Sequence, residues 1–115
     1  MTAIFKIVSA DDWAQARASG AYRGSPDDAR DGFIHFSTAA QVRGTLARHF
    51  AGRTDLMLLE LIAEELGPAL KWEAARGGQL FPHFYGPFPV GGVHRSGPIG
   101  DEGYDGRTLP TWFEN

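Results

Sequence analysis

The chain has 115 residues, 43% hydrophobic and 22% charged, with a net charge of -3 at pH 7, which is typical of one globular domain and not of a disordered chain. It has no cysteine, which excludes disulfides, thiolate catalysis and cysteine zinc sites and suits a cytoplasmic protein. The acidic balance argues against general nucleic-acid binding, and without a signal peptide or a membrane-length apolar run we expect no membrane association.

The first segment of the chain predicts a strand followed by a helix. Residues 4–8 (IFKIV) favour a strand, in which Lys6 lies either at a sheet edge, the commoner placement, or facing a cleft. Ser9 predicts the N-cap of a helix over residues 10–19 that ends at Gly20.

Residues 21–31 contain glycine, serine, proline and paired acidic residues, and they predict a loop. Tyr22 and Arg23 stand beside a glycine in this loop. We expect them either to cover a ligand or to be ordinary loop residues.

The segment GFIHFST, residues 32–38, predicts a short buried strand that leads directly into a helix. Phe33, His35 and Ser37 share one face of such a strand. Thr38 with a glutamine three residues later is a capping-box pattern, which predicts a helix from residue 39 to about residue 50. Because free backbone N–H groups at a helix start favour anions, we expect a phosphate or carboxylate to bind here.

The middle of the chain predicts a buried scaffold. The helical spacing puts His49 on or beside the apolar stripe, where a lone histidine is more often a core residue than a ligand. Residues 55–62 predict a strand covered on both faces. Residues 63–68 predict a short helical turn, residues 70–73 a further strand and residues 74–79 a loop.

Residues 80–89 (LFPHFYGPFP) combine aromatic residues with three prolines. Because proline lacks an N–H donor, we predict an extended wall outside the sheet ladder, with Phe81, His83 and Tyr85 on one side. Residues 90–99 predict a last strand with a turn or bulge at its glycine pair. We expect residues 1–99 to form the domain and the tail, residues 100–115, to pack on it or on a neighbouring subunit.

The sequence contains no phosphate-binding glycine loop, dinucleotide fingerprint, zinc-protease motif or nucleophile elbow. Three interpretations of its polar residues remain open: an anion site with stacking aromatics, a three-histidine metal site, or purely structural hydrogen bonding. The candidate residues come from four segments and are His35, Ser37, Thr38, His49, Glu73, His83 and Tyr85.

The motifs GFIHFSTA at residues 32–39, WE at residues 72–73 and FPHFYGP at residues 81–87 resemble the domain of unknown function 952 family of small, mostly bacterial proteins. The resemblance covers about residues 4–99. It implies a fold similar to that of ADP-ribosyltransferases: an α+β domain of small, split, mixed or antiparallel sheets with two main helices around an NAD cleft.

The same resemblance implies NAD or a related nucleotide as the ligand and a possible transferase activity. Lys6 matches a first-strand residue that contacts ribose in such proteins, and Ser37 and Thr38 are the counterpart of a serine-containing motif. Glu73 is the nearest candidate for the catalytic glutamate.

We therefore expect a small-ligand-binding domain for a nucleotide-like or other anionic molecule. The alternative is a non-enzymatic interaction domain with structural histidines. The candidate catalytic residues are Glu73 and His35, and we expect no metal site. The candidate ligand-binding residues are Lys6, Tyr22, Arg23, Ser37, Thr38, Phe81, His83 and Tyr85.

Overall fold

Three small antiparallel sheets form the frame of the protein in a computed structural model, which describes residues 1–101 and 107–113 apart from the side chain of residue 76. The first sheet has the order β1 (Ala3–Ser9), β4 (Leu56–Ile62), β8 (Arg95–Ile99). The second pairs β2 (Ala21–Tyr22) with β7 (Phe88–Pro89). The third has the order β3 (Ile34–His35), β6 (Leu80–Phe84), β5 (Leu70–Ala74). The expected α+β class is confirmed.

Short helices connect these strands. They are α1 (Ala10–Ser19), α2 (Pro26–Asp31), α3 (Val42–His49) and α4 (Ala63–Leu66), with 3-10 turns at 39–41, 67–69, 76–78 and 90–92. The predicted start of α1 is confirmed, because the Ser9 hydroxyl accepts the Asp12 N–H at 3.0 Å. None of the helices in the described part of the chain is long and apolar enough to cross a membrane.

Strand β4 separates two apolar cores, as its nearly continuous hydrophobic sequence predicted. Leu59 and Leu61 face one core, and Leu56 and Leu58 face the other. All four side chains are at most 1% exposed. Burial of this kind is worth about 1.5–3 kcal/mol for each leucine, so β4 anchors the strands on either side of it.

Among the described residues, one isolated backbone bridge joins the first sheet to the third. Phe5 and Ser37 exchange two N–H···O=C hydrogen bonds, each 2.8 Å long. The chain therefore leaves β3 and immediately pairs with β1, which brings the GFIHFST segment beside Lys6.

The prediction of a loop over residues 21–31 is wrong, because this stretch contains β2 and α2. Ser25 caps α2 in a reciprocal capping box with Asp28, and the helix ends at Gly32, whose φ is 86°. A proline at the first helical position and serine at the N-cap favour this turn of helix. The acidic pair is compatible with a turn, but it also fits the first turn of a helix, where the helix dipole favours negative charge.

The prediction that residues 80–89 lie outside the ladder is also wrong, because β6 is the central strand of the third sheet. Pro82 lies opposite Trp72 of β5, and its carbonyl accepts the Phe36 N–H at 3.0 Å. Pro82 has no N–H to donate, but β3 has already ended beside it and the chain has turned to pair with Phe5. Proline is tolerated there because the neighbouring strand does not continue.

Residues 107–113 of the tail lie against the first sheet, whereas residues 102–106 and 114–115 lie outside the described residues. Phe113 is 6% exposed and meets Phe5 edge to face, with ring centroids 5.1 Å apart. Arg95 lies over the Trp112 ring at 4.8 Å. A Cβ atom built on Gly97 would stand 2.9 Å from Pro110, so this glycine permits the close approach of the tail.

Candidate functional site

A cavity of about 400 Å³ opens where the first and third sheets meet. Strand β1, helix α2, strand β3, the last turn of α3 and strand β6 contribute to its wall. Among the residues singled out from the sequence, the structure places these in its lining: Lys6, His35, Ser37, His49, Phe81 and His83. Residues that the sequence interpretation missed also line it, including Asp28, Asp31, Thr45 and Arg48.

Asp28 is the centre of the hydrogen-bonding network on one wall, and its side chain is only 3% exposed. Lys6 Nζ lies 3.1 and 3.0 Å from its two carboxylate oxygens. The Ser25 N–H donates at 2.8 Å, and the His35 backbone N–H at 3.1 Å. The carboxylate therefore ties β1, α2 and β3 together at the edge of the cavity.

The expectation that Lys6 more commonly lies at an exposed edge is corrected by this arrangement. Although β1 is an outer strand of its sheet, Lys6 is 5% exposed and turned into the protein toward Asp28. Burial lowers the pKa of Lys6 even though Asp28 opposes that shift. Burial alone would raise the pKa of Asp28, but the His35 hydrogen bond and the Lys6 charge outweigh it and hold the pKa below its usual range.

His35 stands between two carboxylates. Its Nδ1 atom lies 2.6 Å from Asp28 Oδ1, and its Nε2 atom lies 2.9 Å from Asp31 Oδ2. A neutral imidazole has only one N–H, so both contacts are hydrogen bonds only when the ring is protonated. The two carboxylates therefore fix the orientation of the His35 ring in the lining of the cavity.

His83 is buried and held by a carboxylate that does not line the cavity. Its Nδ1 atom lies 2.8 Å from Glu73 Oε1, and the Tyr85 hydroxyl donates to the same oxygen at 2.7 Å. The Tyr85 and His83 hydrogen bonds hold the pKa of Glu73 below its usual range. An ionised Glu73 accepts a hydrogen bond from Nδ1–H, which leaves Nε2 as the ring nitrogen that Glu73 does not hold.

The two histidines are neighbours across the third sheet. His35 and His83 are directly paired in register between β3 and β6, and their ring centroids are 5.7 Å apart. Phe33 stacks on His83 at 4.0 Å and contacts His35 at 4.6 Å. Strand pairing and this shared phenylalanine fix both imidazoles beside the same cavity.

The facing wall comes from α3. Ser37 is 4% exposed, and its hydroxyl lies 2.9 Å from the Thr45 hydroxyl on α3. Arg48 and His49 occupy the last turn of α3 and line the cavity. His49 is exposed, so the interpretation of this residue as part of the core is wrong. The residue lies at the end of α3, beyond the last buried position of the helix, Leu46.

The acidic residues that line the cavity have ion-pair partners, whereas one of its basic residues has none in the described part of the chain. Each of its carboxylates already has a basic partner: Asp28 has Lys6, and Asp27 and Asp31 both pair with Arg30 at 3.2 and 3.1 Å. Arg48 makes no ion pair with any residue that the structure describes. Among the described residues, the lining therefore keeps one unpaired positive charge, on Arg48, while each of its carboxylates is already paired.

The remaining sequence candidates lie away from the lining. Glu73 and Tyr85 reach the cavity only through His83, so Glu73 orients a histidine and does not itself face the cavity. Arg23 extends on the surface toward Ser19 at 3.5 Å. Thr38 follows the bridge, and its N–H is taken by the Gln41 side chain at 3.0 Å. The cavity contacts the end of α3 and not its start, which differs from the anion site expected at Thr38.

Tyr22 also differs from its expected place in a covering loop. It is 2% exposed and packs on Phe88 with ring centroids 5.2 Å apart. Its hydroxyl is buried without a hydrogen-bond partner among the described residues. Burial and the nearby charge of Asp28 raise its pKa.

Asp28 was missed because its segment was predicted as a loop. The signal was present: Ser25-Pro26-Asp27-Asp28 has a serine N-cap, a proline at the next position and an acidic residue at the third helical position. Asp28's contact with Lys6 joins residues 22 apart in sequence, and no local pattern predicts that pair. Within residues 1–101 and 107–113, no group of three or more histidine and acidic side chains is arranged to hold a metal ion.

Comparison with known proteins gives the family. The family model described as "Protein of unknown function (DUF952)" matches residues 7–96. A crystal structure of protein CC0527 from Caulobacter crescentus is 47% identical, covers 91% of each chain and has a TM-score of 0.86. The solution NMR structure of CC0527 is 47% identical, covers 93% of this chain and 91% of that chain, and has a TM-score of 0.81. No curated protein matches the chain. The resemblance to this family found in the sequence is confirmed: the chain belongs to the DUF952 family.

Proposed function

We infer that this protein binds a small phosphate-bearing, nucleotide-like molecule in the cavity between β1, β3, β6 and α3. One observation carries the inference. The two carboxylate-held histidines lie side by side at a cavity whose own carboxylates are already paired with cations. An anion entering this space meets His35 and Arg48 without facing an unpaired carboxylate.

The remaining lining fits the other parts of such a ligand. Its volume of about 400 Å³ falls within the range of small-molecule sites, about 300–1,000 Å³. Phe81 and Phe50 supply aromatic surface against which a ring can pack. The Ser37 and Thr45 hydroxyls supply neutral polar partners for sugar hydroxyls.

The resemblance to ADP-ribosyltransferases makes NAD and ADP-ribose the first ligands to examine. ADP-ribosyl transfer needs a group that stabilises a developing cation. Glu73, the candidate catalytic glutamate by resemblance, hydrogen-bonds His83 and Tyr85 and does not line the cavity. Binding is therefore the part of the resemblance that the geometry supports best.

Thermal unfolding in the presence of AMP, ADP, ADP-ribose and NAD tests the proposal, with adenosine as the uncharged control. A ligand that binds only the folded state adds about 2.7 kcal/mol of stability at one hundred times its Kd, which raises the Tm of a domain this size by several degrees. We expect phosphate-bearing compounds to raise the Tm and adenosine to have a much smaller effect.

Two arginine variants supply a matched control. Arg48 and Arg17 are both exposed and both occupy the last turn of a helix, but only Arg48 lines the cavity. Arg48→Gln should weaken the nucleotide-induced shift about tenfold or more in ligand concentration, and Arg17→Gln should leave it unchanged. If no phosphate-bearing compound shifts the Tm at millimolar concentration, the proposal fails and the non-enzymatic interaction domain becomes the better account.

A further inference from the structure

We propose that the cavity also cleaves a phosphate ester of its ligand by acid–base catalysis, with His83 as the base and His35 as the acid. This inference rests on the proposed function, since the phosphate must first bind. It goes further by assigning a reaction class to two residues whose hydrogen bonds differ, because His83 has one carboxylate partner and His35 has two.

The base is the better shielded of the two histidines. His83 is 5% exposed, and the ionised Glu73 holds its Nδ1–H at 2.8 Å. A carboxylate that accepts from Nδ1 fixes the tautomer in which Nε2 bears the lone pair, and it stabilises the imidazolium that forms when Nε2 takes a proton. The Tyr85 hydroxyl donates to the same Glu73 oxygen and holds it in place.

The acid has two carboxylate neighbours. His35 bonds the buried Asp28 through Nδ1 and the more exposed Asp31 through Nε2. Asp28 is fixed by Lys6 and Ser25, whereas the Asp31 side chain is 35% exposed and lies on the surface beside Arg30. Asp31 therefore accepts the hydrogen bond from His35 Nε2–H in the unliganded protein, and a ligand oxygen replaces Asp31 as the acceptor in the complex.

The geometry lets both rings act on one phosphorus. Strand pairing puts the ring centroids 5.7 Å apart beside the same cavity. General acids and bases act over hydrogen bonds of about 2.6–3.2 Å, so a phosphoryl group seated over the pair is within reach of both. Arg48 on the facing wall is available to the charge that develops on the non-bridging oxygens.

The chemical step is hydrolysis of a phosphodiester. His83 Nε2 removes a proton from water as the water oxygen forms a bond to phosphorus. The bond between phosphorus and the leaving oxygen breaks, and His35 Nε2 gives its proton to that oxygen. The products are a phosphomonoester and an alcohol, and the proton gained by His83 returns to His35 through solvent, so no redox partner is needed.

A matched pair of substrates tests the two roles separately. The p-nitrophenyl and methyl esters of adenosine 5′-monophosphate share a nucleotide but differ in leaving group, and p-nitrophenolate leaves without a proton. We expect His83→Gln to slow both esters 100-fold or more. We expect His35→Gln to slow the methyl ester about 100-fold and the p-nitrophenyl ester less than about fivefold, since acid catalysis contributes typically 10²–10⁴-fold.

Chemical rescue and a binding control complete the experiment. Added imidazole should restore part of the p-nitrophenyl ester turnover in His83→Ala but not in Arg48→Gln, because only the first lacks a proton acceptor. The proposal is overturned if wild-type protein cleaves neither ester while adenosine 5′-monophosphate still raises the Tm, or if both histidine variants slow both esters equally. If wild-type protein cleaves neither ester and adenosine 5′-monophosphate also fails to raise its Tm, the proposed binding function is overturned instead.

Discussion

The buried carboxylate of Asp28 holds one wall of the cavity, so neutralising it should destabilise the whole domain. In Asp28→Asn, the side chain keeps its size and one acceptor oxygen. It loses the charge that faces Lys6, which is 5% exposed. The substitution leaves a buried ammonium group without its counter-ion and turns an N–H₂ group toward Lys6 and either His35 or the Ser25 N–H.

The size of the loss follows from the contacts that are removed. Lys6 Nζ lies 3.1 and 3.0 Å from the two carboxylate oxygens, and His35 Nδ1 lies 2.6 Å from one of them. Breaking a buried ion pair by removing one partner costs about 3–5 kcal/mol. We therefore expect a loss of about that size in the free energy of unfolding, a large part of the 5–15 kcal/mol typical of a folded domain.

Urea unfolding followed by tryptophan fluorescence measures this loss, because Trp13 is buried in the core. Asp27→Asn is the matched control: it lies one residue away on α2, and its side chain is 60% exposed in a surface pair with Arg30. The control should change stability by at most about 0.5 kcal/mol. The double variant Lys6→Met with Asp28→Asn should recover part of the loss, since both charges of the buried pair are then removed. A loss below about 1 kcal/mol in Asp28→Asn, or losses that simply add in the double variant, would refute this reasoning.

Three further predictions follow from individual contacts. Tyr22→Phe should leave stability unchanged or raise it by up to about 1 kcal/mol in urea melts, because the buried hydroxyl has no partner among the described residues; a clear loss would show that the hydroxyl is bonded. Gly97→Ala should cost about 1–3 kcal/mol, because the new methyl group would stand 2.9 Å from Pro110, and an unchanged melt would contradict the packing of the tail. Since the pKa of Asp28 is held below its usual range, its contribution to stability is complete above the unfolded pKa of about 3.9 and is lost as the pH falls toward the folded-state value. Wild-type protein should therefore lose stability more steeply below about pH 4 than Asp28→Asn, and parallel pH profiles would contradict this assignment.

Local patterns in the sequence predict the scaffold better than they predict the site. The Ser9 cap, the glycine that ends α1 and the apolar β4 are each determined by neighbouring residues, and the structure confirms them. His35 and Ser37 were placed on one face of a strand, and both line the cavity. These inferences needed only strand alternation and capping chemistry.

The features that sequence reasoning missed depend on contacts between distant segments. Pro82 is accepted in a central strand only because β3 ends opposite it and Ser37 pairs with Phe5 instead. Asp28 becomes the centre of the network because Lys6 turns inward from β1 to meet it. The chemistry of Glu73 likewise depends on which strands flank β6. Each depends on how distant segments pack together, which no motif in the chain specifies.

The most direct test of the central claim is an NMR titration of the four histidine side chains with adenosine 5′-monophosphate. His35, His49 and His83 line the cavity, whereas His94 is paired with Glu65 at 2.6 Å outside it. The account predicts that the ring signals of His35 and His83 move with a single saturating dependence on ligand concentration while those of His94 stay fixed. The claim is contradicted if the ligand binds and shifts His94 without shifting His35 and His83, or if none of the four rings responds at millimolar concentration.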